Sequence, residues 1–228
     1  MPLIERSLAS LPAADAERFV RSLFAPNQRF ARAFEQYWKV ILGHSEHVAR
    51  RETQAELAHA GDALIANLAD PAIFTVGHLE ANGYQPIGIF GYRALAAHPV
   101  GGKIAEAVAT SALAARFGGR FGIAHCVGIL DAHAGLEVLK TMFLSIARKA
   151  QAADHEQLFF FTSDHRLEGL YRRFGMEFPP ELALRDSRHL VGLFDLTRRD
   201  GQRRVEEIAA ALDRGASTHA IHAIRQAA

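Results

Sequence analysis

Large apolar residues in the first third of the chain recur at helical spacing. Four of them are separated by four, four and three positions and so share one helix face: Phe30, Phe34, Trp38 and Ile41. Segments 13–24 and 46–68 are rich in Ala, Glu, Arg and Leu, which favour helices. Pro71 ends this region, because proline cannot continue a helix and disfavours helical backbone at the preceding Asp70. The pattern predicts a helical extension over residues 1–70.

Beyond Pro71 the apolar runs become short, which is typical of strands. Two runs, 73–80 and 86–95, flank Asn82-Gly83, and this dipeptide is the strongest short-range signal for a hairpin. We therefore predict a β-hairpin here. The Ala-rich segment 101–117 follows it and is predicted to be a helix.

The second half of the chain alternates strand-length and helix-length patterns. Residues 121–130 form an apolar run, and 157–162 form another that is apolar on both faces, as buried strands are. Between them, apolar residues at spacings of three and four predict an amphipathic helix over 135–151. Two strands joined by a helix of this length are expected to be parallel neighbours with a right-handed crossover. A last strand is predicted over 189–196.

Two more helices complete the predicted fold. Residues 167–174 form a short helix that ends at Gly175, a typical helix-stop residue, and the tail has helical composition with an expected break near Gly215. The fold class is therefore α/β: a mixed central sheet with a crossover helix, preceded by the helical extension. The predicted division is a sheet domain over 71–200 and a helical tail over 201–228.

Composition excludes several classes of protein. The 228 residues suit one domain with an appendage, and 26 Lys plus Arg against 25 Asp plus Glu argue against a strongly basic nucleic-acid binder. The lone Cys126 excludes an internal disulfide. Residues 1–21 lack the pattern of a secretion signal, and no stretch reaches the roughly 18 uninterrupted apolar residues of a membrane span. We expect a soluble, cytoplasmic protein.

A short motif gives the first indication of chemistry. Residues 170–178 read Leu-Tyr-Arg-Arg-Phe-Gly-Met-Glu-Phe, and they follow a hairpin, helix, strand, helix and buried strand. In motif and order, residues 72–196 resemble the GCN5-related N-acetyltransferases (GNAT superfamily). The resemblance implies a GNAT-like mixed sheet and assigns Tyr171 to protonation of the thiolate leaving group. The alternative is that Tyr171 is an amphipathic core residue with its hydroxyl at the surface.

The same resemblance implies a site for a thioester donor. The donor would lie where the strands ending near Leu130 and Thr162 separate, with its phosphates at the start of the following helix, where backbone N–H groups are unpaired. The implied donor-binding residues are Gly128, Ile129, Leu130, Ala134, Gly135, Leu136 and Thr162. The family's Arg or Gln is absent from this turn, and Asp131 would repel a pyrophosphate. We therefore expect weak or absent binding of acetyl-CoA.

That departure favours a different donor. The helical extension, an Arg-rich region and the late segment 192–196 (Gly-Leu-Phe-Asp-Leu) resemble the N-acyl amino acid synthases and autoinducer synthases. This resemblance implies acyl transfer from acyl carrier protein, or from acyl-CoA, to a small amine, with no resident cofactor. Acyl carrier protein is acidic and needs a basic dock. Residues 163–204 hold nine Arg against seven acids, which is equally typical of a solvated surface with local ion pairs.

Two residues are candidates for the general base. His125 precedes the donor turn, and Glu80 ends the first hairpin strand. His125 could instead be a core or edge histidine held by a backbone hydrogen bond. Strict alternation puts Cys126 on the opposite strand face from His125, so no thiol nucleophile is expected. His78 shares a face with Glu80 and is assigned to the acceptor pocket.

The remaining histidines do not predict a metal site. His44 and His47, and likewise His219 and His222, have the spacing of one helix face, but neither pair is accompanied by a recognisable set of acidic ligands. Solvated or core histidines explain them better. The sequence therefore indicates an acyltransferase, with a non-catalytic ligand-binding or partner-binding protein of the same fold as the competing class.

Overall fold

The computed structural model describes residues 3–25, 27–31, 65, 68–98, 101–116, 118–162, 168–182 and 190–226. The strands are β1 (Leu3–Ser7), β2 (Ile73–Glu80), β3 (Gly83–Ala94), β4 (Phe121–Ile129), β5 (Gln157–Thr162) and β6 (Leu190–Asp195). The α-helices of these ranges are α1 (Ala13–Leu23), α2 (Gly101–Ala109), α3 (Leu136–Ala152), α4 (Glu168–Arg173) and α5 (Arg199–Gln226). No helix of the described residues combines the length and the apolarity that crossing a membrane requires.

The strands form one six-stranded sheet in the order β1-β2-β3-β4-β5-β6. All neighbours are antiparallel except β4 and β5, which are parallel and are joined by α3. This confirms the predicted fold class and the parallel crossover between 121–130 and 157–162. The hairpin is also confirmed, with Glu80 opposite Gly83 and a positive φ of 122° at Gly83. That conformation suits glycine, which has no Cβ to clash.

The amino-terminal region contains a strand that the sequence pattern did not indicate. Residues of β1 pair antiparallel with β2, from Leu3 opposite His78 to Ser7 opposite Phe74. Lys149 of α3 lies 2.6 Å from Glu5 and 3.6 Å from the centroid of the Phe74 ring. These contacts hold β1 at the sheet edge, so the predicted helical extension is wrong for residues 3–7. Helix α1 agrees with the prediction for 13–24.

Other parts of the predicted extension lie outside the described residues. This holds for most of the 46–68 helix and for Phe34, Trp38 and Ile41. The division of the chain at residues 70 and 200 stays a prediction.

Two predicted helices differ from the structure. The segment predicted as one helix over 101–117 is α2 followed by a 3₁₀ turn, Ala112–Arg116. The hydroxyls of Thr110 and Ser111 bond back to carbonyls of Glu106 and Val108, at 2.8 and 3.0 Å, and such bonds compete with helix propagation. Conversely, α5 continues through Gly215 without a break.

The core lies on both faces of the sheet. One face packs against α3 and α5 through a cluster that includes Phe90, Met142, Phe143, Leu158 and Phe194. The ring of Phe143 meets that of Phe194 edge to face at 5.1 Å between centroids. The other face packs against α1 through a second cluster.

Strand β4 contains a bulge at Cys126 and Val127, next to His125. Ile89 is opposite Gly128 and Gly91 is opposite His125, so one residue of β3 faces both Cys126 and Val127. Cys126 has a φ of 51°, as a bulged residue can. Pairing of β4 with β5 runs only from Phe121 to Ile123 in the described residues. The two parallel strands therefore separate before the bulge.

Candidate active site

His125 lies in a buried polar network beside the bulge. Arg93 donates from Nε to His125 Nε2 at 3.1 Å and from Nη2 to Asp70 Oδ2 at 2.6 Å. The ring of His98 is 5.0 Å from that of His125, and both histidines are buried. A Cβ on Gly91 would overlap the His125 ring, so glycine at position 91 makes room for it. Because arginine cannot accept a hydrogen bond, Nε2 carries the lone pair and Nδ1 carries the proton.

This environment keeps His125 neutral and makes it a weak base. Burial, with His98 and Arg93 adding to it, lowers the pKa of His125 to about 3. Burial and Arg93 lower the pKa of His98 to about 4. An effective general base has a pKa near the working pH and a lone pair within reach of the substrate. The geometry favours the alternative for His125, a core histidine, although its partner is Arg93 rather than the backbone.

Cys126 does not lie opposite His125, as strict alternation predicted. The bulge places Cys126 Sγ 3.3 Å from His125 Nδ1, so the two side chains share a face. That prediction is wrong because a bulged strand presents two consecutive residues to one side. Burial raises the pKa of the Cys126 thiol to about 12. The thiol therefore stays protonated, which argues against a thiolate nucleophile.

Glu80 and His78 lie at the far end of the hairpin from His125. Glu80 is exposed and pairs with Gly83, whereas His125 pairs with Gly91. Eight residues of strand separate these positions, roughly 26 Å at 3.3 Å per residue. His78 lies between Leu3 of β1 and Gln85 of β3, and its Nδ1 is buried without a hydrogen-bond partner in the described part of the chain. The structure does not bring these two residues together with His125.

The implied donor turn links β4 to α3. Leu130 N donates to Ile87 O at 2.9 Å, a 3₁₀ turn spans Asp131–His133, and α3 begins after Gly135. Gly135 has extended backbone and no side chain that could cap the first N–H groups of α3. Ala134, Gly135 and Leu136 are exposed. Thr162 ends β5 opposite Leu190, and its side chain lies outside the described residues.

A segment between α1 and β2 docks on this turn, which sequence reasoning missed. Arg29 donates from its backbone N–H and from Nε to the Asp131 carboxylate, at 3.2 and 3.0 Å. Gln28 Oε1 accepts from Asp131 N at 2.9 Å. The Phe30 ring lies on Gly128, where a Cβ would overlap it. One sign of this contact was present in the sequence: Phe30 belongs to the apolar stripe of the predicted helix. A stripe of this kind indicates burial but does not identify the residue against which Phe30 packs.

Tyr171 lies in α4 with its ring partly buried against the main core. Its carbonyl accepts from Phe174 N and Met176 N at 2.9 and 3.2 Å, and Gly175 has a φ of 90°. These bonds end the helix where Gly175 predicted a stop. The role of the Tyr171 hydroxyl stays a prediction.

Most described arginines of the Arg-rich region are paired with nearby acids. Arg172 contacts Glu168 at 2.7 Å and Arg198 contacts Glu177 at 2.6 Å. Arg203 and Arg204 contact Glu207 at 3.6 and 2.8 Å. Arg166, Arg185 and Arg188 lie outside the described residues. These contacts favour a solvated surface with local pairs over a dock for an acidic protein.

The described residues contain no group of three or more His, Cys, Asp or Glu side chains arranged to hold a metal ion. His44 and His47, and the side chains of His219 and His222, lie outside those residues.

The fold is similar to that of solved acetyltransferases. A GNAT-family acetyltransferase from Listeria monocytogenes is 12% identical, with a TM-score of 0.51, over 85% of this chain and 95% of that one. A mosquito arylalkylamine N-acetyltransferase-like protein is 9% identical, with a TM-score of 0.50, over 84% and 98%. An uncharacterized protein from Bacillus halodurans is 12% identical, with a TM-score of 0.56, over 92% and 91%.

Comparison of sequences adds no relative: no protein-family model and no curated protein matches the chain. At identities this low, the structural likeness shows the fold alone. It confirms a GNAT-like mixed α/β sheet, as the motif at 170–178 implied.

Proposed function

Starting from this acetyltransferase fold, we propose that the chain transfers an acyl group from a thioester, acyl-CoA in the first instance, to a small amine. The observation that carries the proposal is the separation of β4 from β5. Beyond Ile123 the edge of β4 that faces β5 is not used in strand pairing within the described residues, and α3 begins at the same end of the sheet. A thioester can therefore be bound between the strands with its phosphates at the start of α3.

The donor-binding residues divide into two groups. Leu130 N already donates to Ile87 O, and N–H groups alternate in direction along a strand, so the N–H of Ile129 points away from β3. This N–H polarises the thioester carbonyl, as donors aimed at developing negative charge do, and Gly128 and Leu130 flank it. Gly135 and Leu136 offer N–H groups to the phosphates, Ala134 lies beside them with its own N–H donating to Asp131 O at 3.3 Å, and Thr162 borders the site at the end of β5. Arg29 compensates the charge of Asp131, which removes one of the two reasons for expecting weak binding of acetyl-CoA; the other, the absence of the family's Arg or Gln from this turn, remains.

The reaction needs two proton transfers. The neutral amine attacks the carbonyl carbon, so a C–N bond forms and a tetrahedral oxyanion results. The C–S bond then breaks, and the thiolate takes a proton from the Tyr171 hydroxyl. The proton of the amine passes to solvent water, which returns a proton to the Tyr171 phenolate and so restores the hydroxyl. No base role falls to His125, whose ring nitrogens face Arg93 and Cys126, nor to Glu80 at the exposed hairpin end.

The donor could instead be an acyl carrier protein, as the resemblance to N-acyl amino acid synthases implies. Such a partner would have to compete with the ion pairs that Arg172, Arg198 and Arg204 already make. Acyl-CoA needs no such rearrangement, so it is the preferred donor.

A non-catalytic binding protein is the second candidate. It is favoured by the Phe30 ring on Gly128 and by Glu137, an acidic residue in the first turn of α3. The Phe30 ring reduces the room for a thioester nucleotide, and the Glu137 carboxylate repels its phosphates.

The decisive experiment combines CoA binding with thiol release. The parent protein is titrated with CoA and acetyl-CoA by calorimetry, and free thiol is then followed with a panel of primary amines. Gly135→Asp adds a carboxylate at the start of α3, where a Cβ meets nothing closer than His133 O at 3.9 Å. Aspartate there should cap the helix yet repel phosphate, so binding falls while the melting temperature holds or rises.

Gly102→Asp is the matched control. It adds the same charge in the first turn of α2, and a Cβ there has open space. We expect Gly102→Asp to bind CoA as the parent does. No CoA binding and no thiol release by the parent protein with any donor, acylated carrier protein included, would favour the binding-protein candidate.

A further inference from the structure

Phe30 closes one side of the space around the β4 backbone. Its ring is 6% exposed and covers Gly128 so closely that even a methyl group there would overlap it. Phe24 packs against it edge to face, with 5.3 Å between ring centroids and an interplanar angle of 75°. Ile89, opposite Gly128 on β3, belongs to the same apolar cluster.

The ring is held in place by its neighbours in the chain. Arg29 binds the Asp131 carboxylate through two hydrogen bonds, and Gln28 accepts from Asp131 N. Phe30 is thus tied, through its two neighbours in the chain, to Asp131 at the start of the turn that follows β4. It is a fixed wall over Gly128.

The opposite face of the sheet is also filled. A Cβ on Gly88, which pairs with Ile129, would lie 3.2 Å from Met142 Sδ and 3.6 Å from Val138 Cγ1 of α3. Val127 and Ile129 pack against the main core on that side. Among the described residues, both faces of the sheet at this end of β4 are therefore occupied by side chains.

From this geometry we infer that Phe30 limits the length of the acyl group and that the donor carries a short acyl chain. The inference rests on the proposed function. A thioester carbonyl bound at Gly128–Leu130 directs its acyl chain toward one face of the sheet. On one face the chain meets the Phe30 ring, and on the other it meets α3. A chain of a few carbons fits, whereas a long one requires that Phe30 move.

The test is a donor-length profile measured with acetyl-, butyryl-, hexanoyl- and octanoyl-CoA and a single amine. The parent protein should show a kcat/KM for octanoyl-CoA at least about tenfold below that for acetyl-CoA. One methylene group that does not fit an apolar pocket lowers kcat/KM by roughly 10-fold or more. Phe30→Ala should raise the octanoyl-to-acetyl ratio by about tenfold or more. Phe121→Ala removes a ring of the same size at the other end of β4, where it packs on Phe159, and it should leave this ratio unchanged.

Phe30→Leu provides a milder variant in case the alanine variant does not fold, and the melting temperature of each protein is measured alongside. Equal use of octanoyl- and acetyl-CoA by the parent protein would overturn the inference, as would an unchanged ratio in a folded Phe30→Ala or Phe30→Leu protein. In either case the acyltransferase proposal would stand. Failure of the parent protein to bind or turn over any of the four donors would overturn that proposal and the inference with it.

Discussion

Arg93 donates a hydrogen bond from Nε to the lone pair on Nε2 of His125 at 3.1 Å. The same guanidinium contacts Asp70, so its orientation is set by a carboxylate on the loop before β2. Protonating His125 would turn this bond into a contact between two cations. The position of His125 before the donor turn indicated a general base. In the structure, His125 instead anchors the bulged part of β4.

The first prediction concerns stability in acid. The pKa values of His125 and His98 are lowered to about 3 and 4 in the folded state, from an ordinary 6.5. Between pH 6.5 and those values the unfolded chain binds more protons, so the free energy of unfolding falls as the pH falls. Each proton contributes a slope of up to about 1.4 kcal/mol per pH unit.

Urea unfolding of the parent protein and of His125→Gln at pH 7 and pH 5 checks this. The loss of stability between the two pH values should be smaller in His125→Gln, which has one buried imidazole fewer. His133→Gln changes an exposed histidine and should behave as the parent does. Equal pH dependence in all three proteins would contradict the lowered pKa of His125.

The second prediction concerns the contact of Phe30 with Gly128. Gly128→Ala should destabilise the fold by about 1–3 kcal/mol, the usual cost of overpacking a core. In a Phe30→Ala background the added methyl group has room, so the same substitution should cost much less. A double-mutant cycle by urea unfolding measures this coupling without any activity assay. Additive effects would mean that the ring does not lie on Gly128 in solution.

The third prediction concerns the ion pair between Arg29 and Asp131. Arg29→Ala leaves the carboxylate uncompensated beside the donor turn, so acyl-CoA binding should weaken by roughly 3- to 10-fold at low salt, and less at high salt. Asp131→Asn should bind at least as well as the parent. Combining the two substitutions should restore most of the affinity lost in Arg29→Ala. Binding is measured at 20 mM and at 200 mM salt, where the screening lengths are about 20 Å and 7 Å. If Arg29→Ala binds acyl-CoA as tightly as the parent does at both concentrations, the charge of Asp131 does not influence donor affinity.

The fourth prediction concerns Tyr171. Tyr171→Phe removes one hydroxyl and keeps the ring that packs against the main core. If Tyr171 protonates the leaving thiolate, the rate at saturating donor should fall by about 10²-fold, the lower end of the range for general acid catalysis, because a thiolate is a modest base. The melting temperature should barely change.

Initial rates and melting temperatures on the same preparations separate the possible roles of Tyr171. A raised KM for the donor with an unchanged maximal rate would indicate donor binding instead. An unchanged rate in a stable Tyr171→Phe protein would remove Tyr171 from the mechanism.

The parts of the fold that sequence reasoning predicted are those with a local signal. The apolar stripe of α3, the doubly apolar β5 and the Asn82-Gly83 turn each have their pattern within a few residues. Strand β1 has no such pattern: it is five residues long, and its contacts with β2 and Lys149 decide its structure. The 3₁₀ turn after α2 depends on two side-chain hydroxyls that bond to backbone carbonyls. Amino-acid composition alone does not reveal these bonds.

The sequence by itself determined the order of helices and strands from β2 onward and the parallel crossover, because periodicity and turn residues are local properties of the chain. The resemblance of the motif at 170–178 implied the acetyltransferase-like fold. Only the tertiary structure decided which side chains meet at the end of β4. The bulge at Cys126 arises from the pairing register with β3 and brings its thiol to His125. Arg29 reaches Asp131 across 102 positions of sequence. Such contacts depend on how distant segments pack, and no period in the sequence encodes which partner a side chain finds.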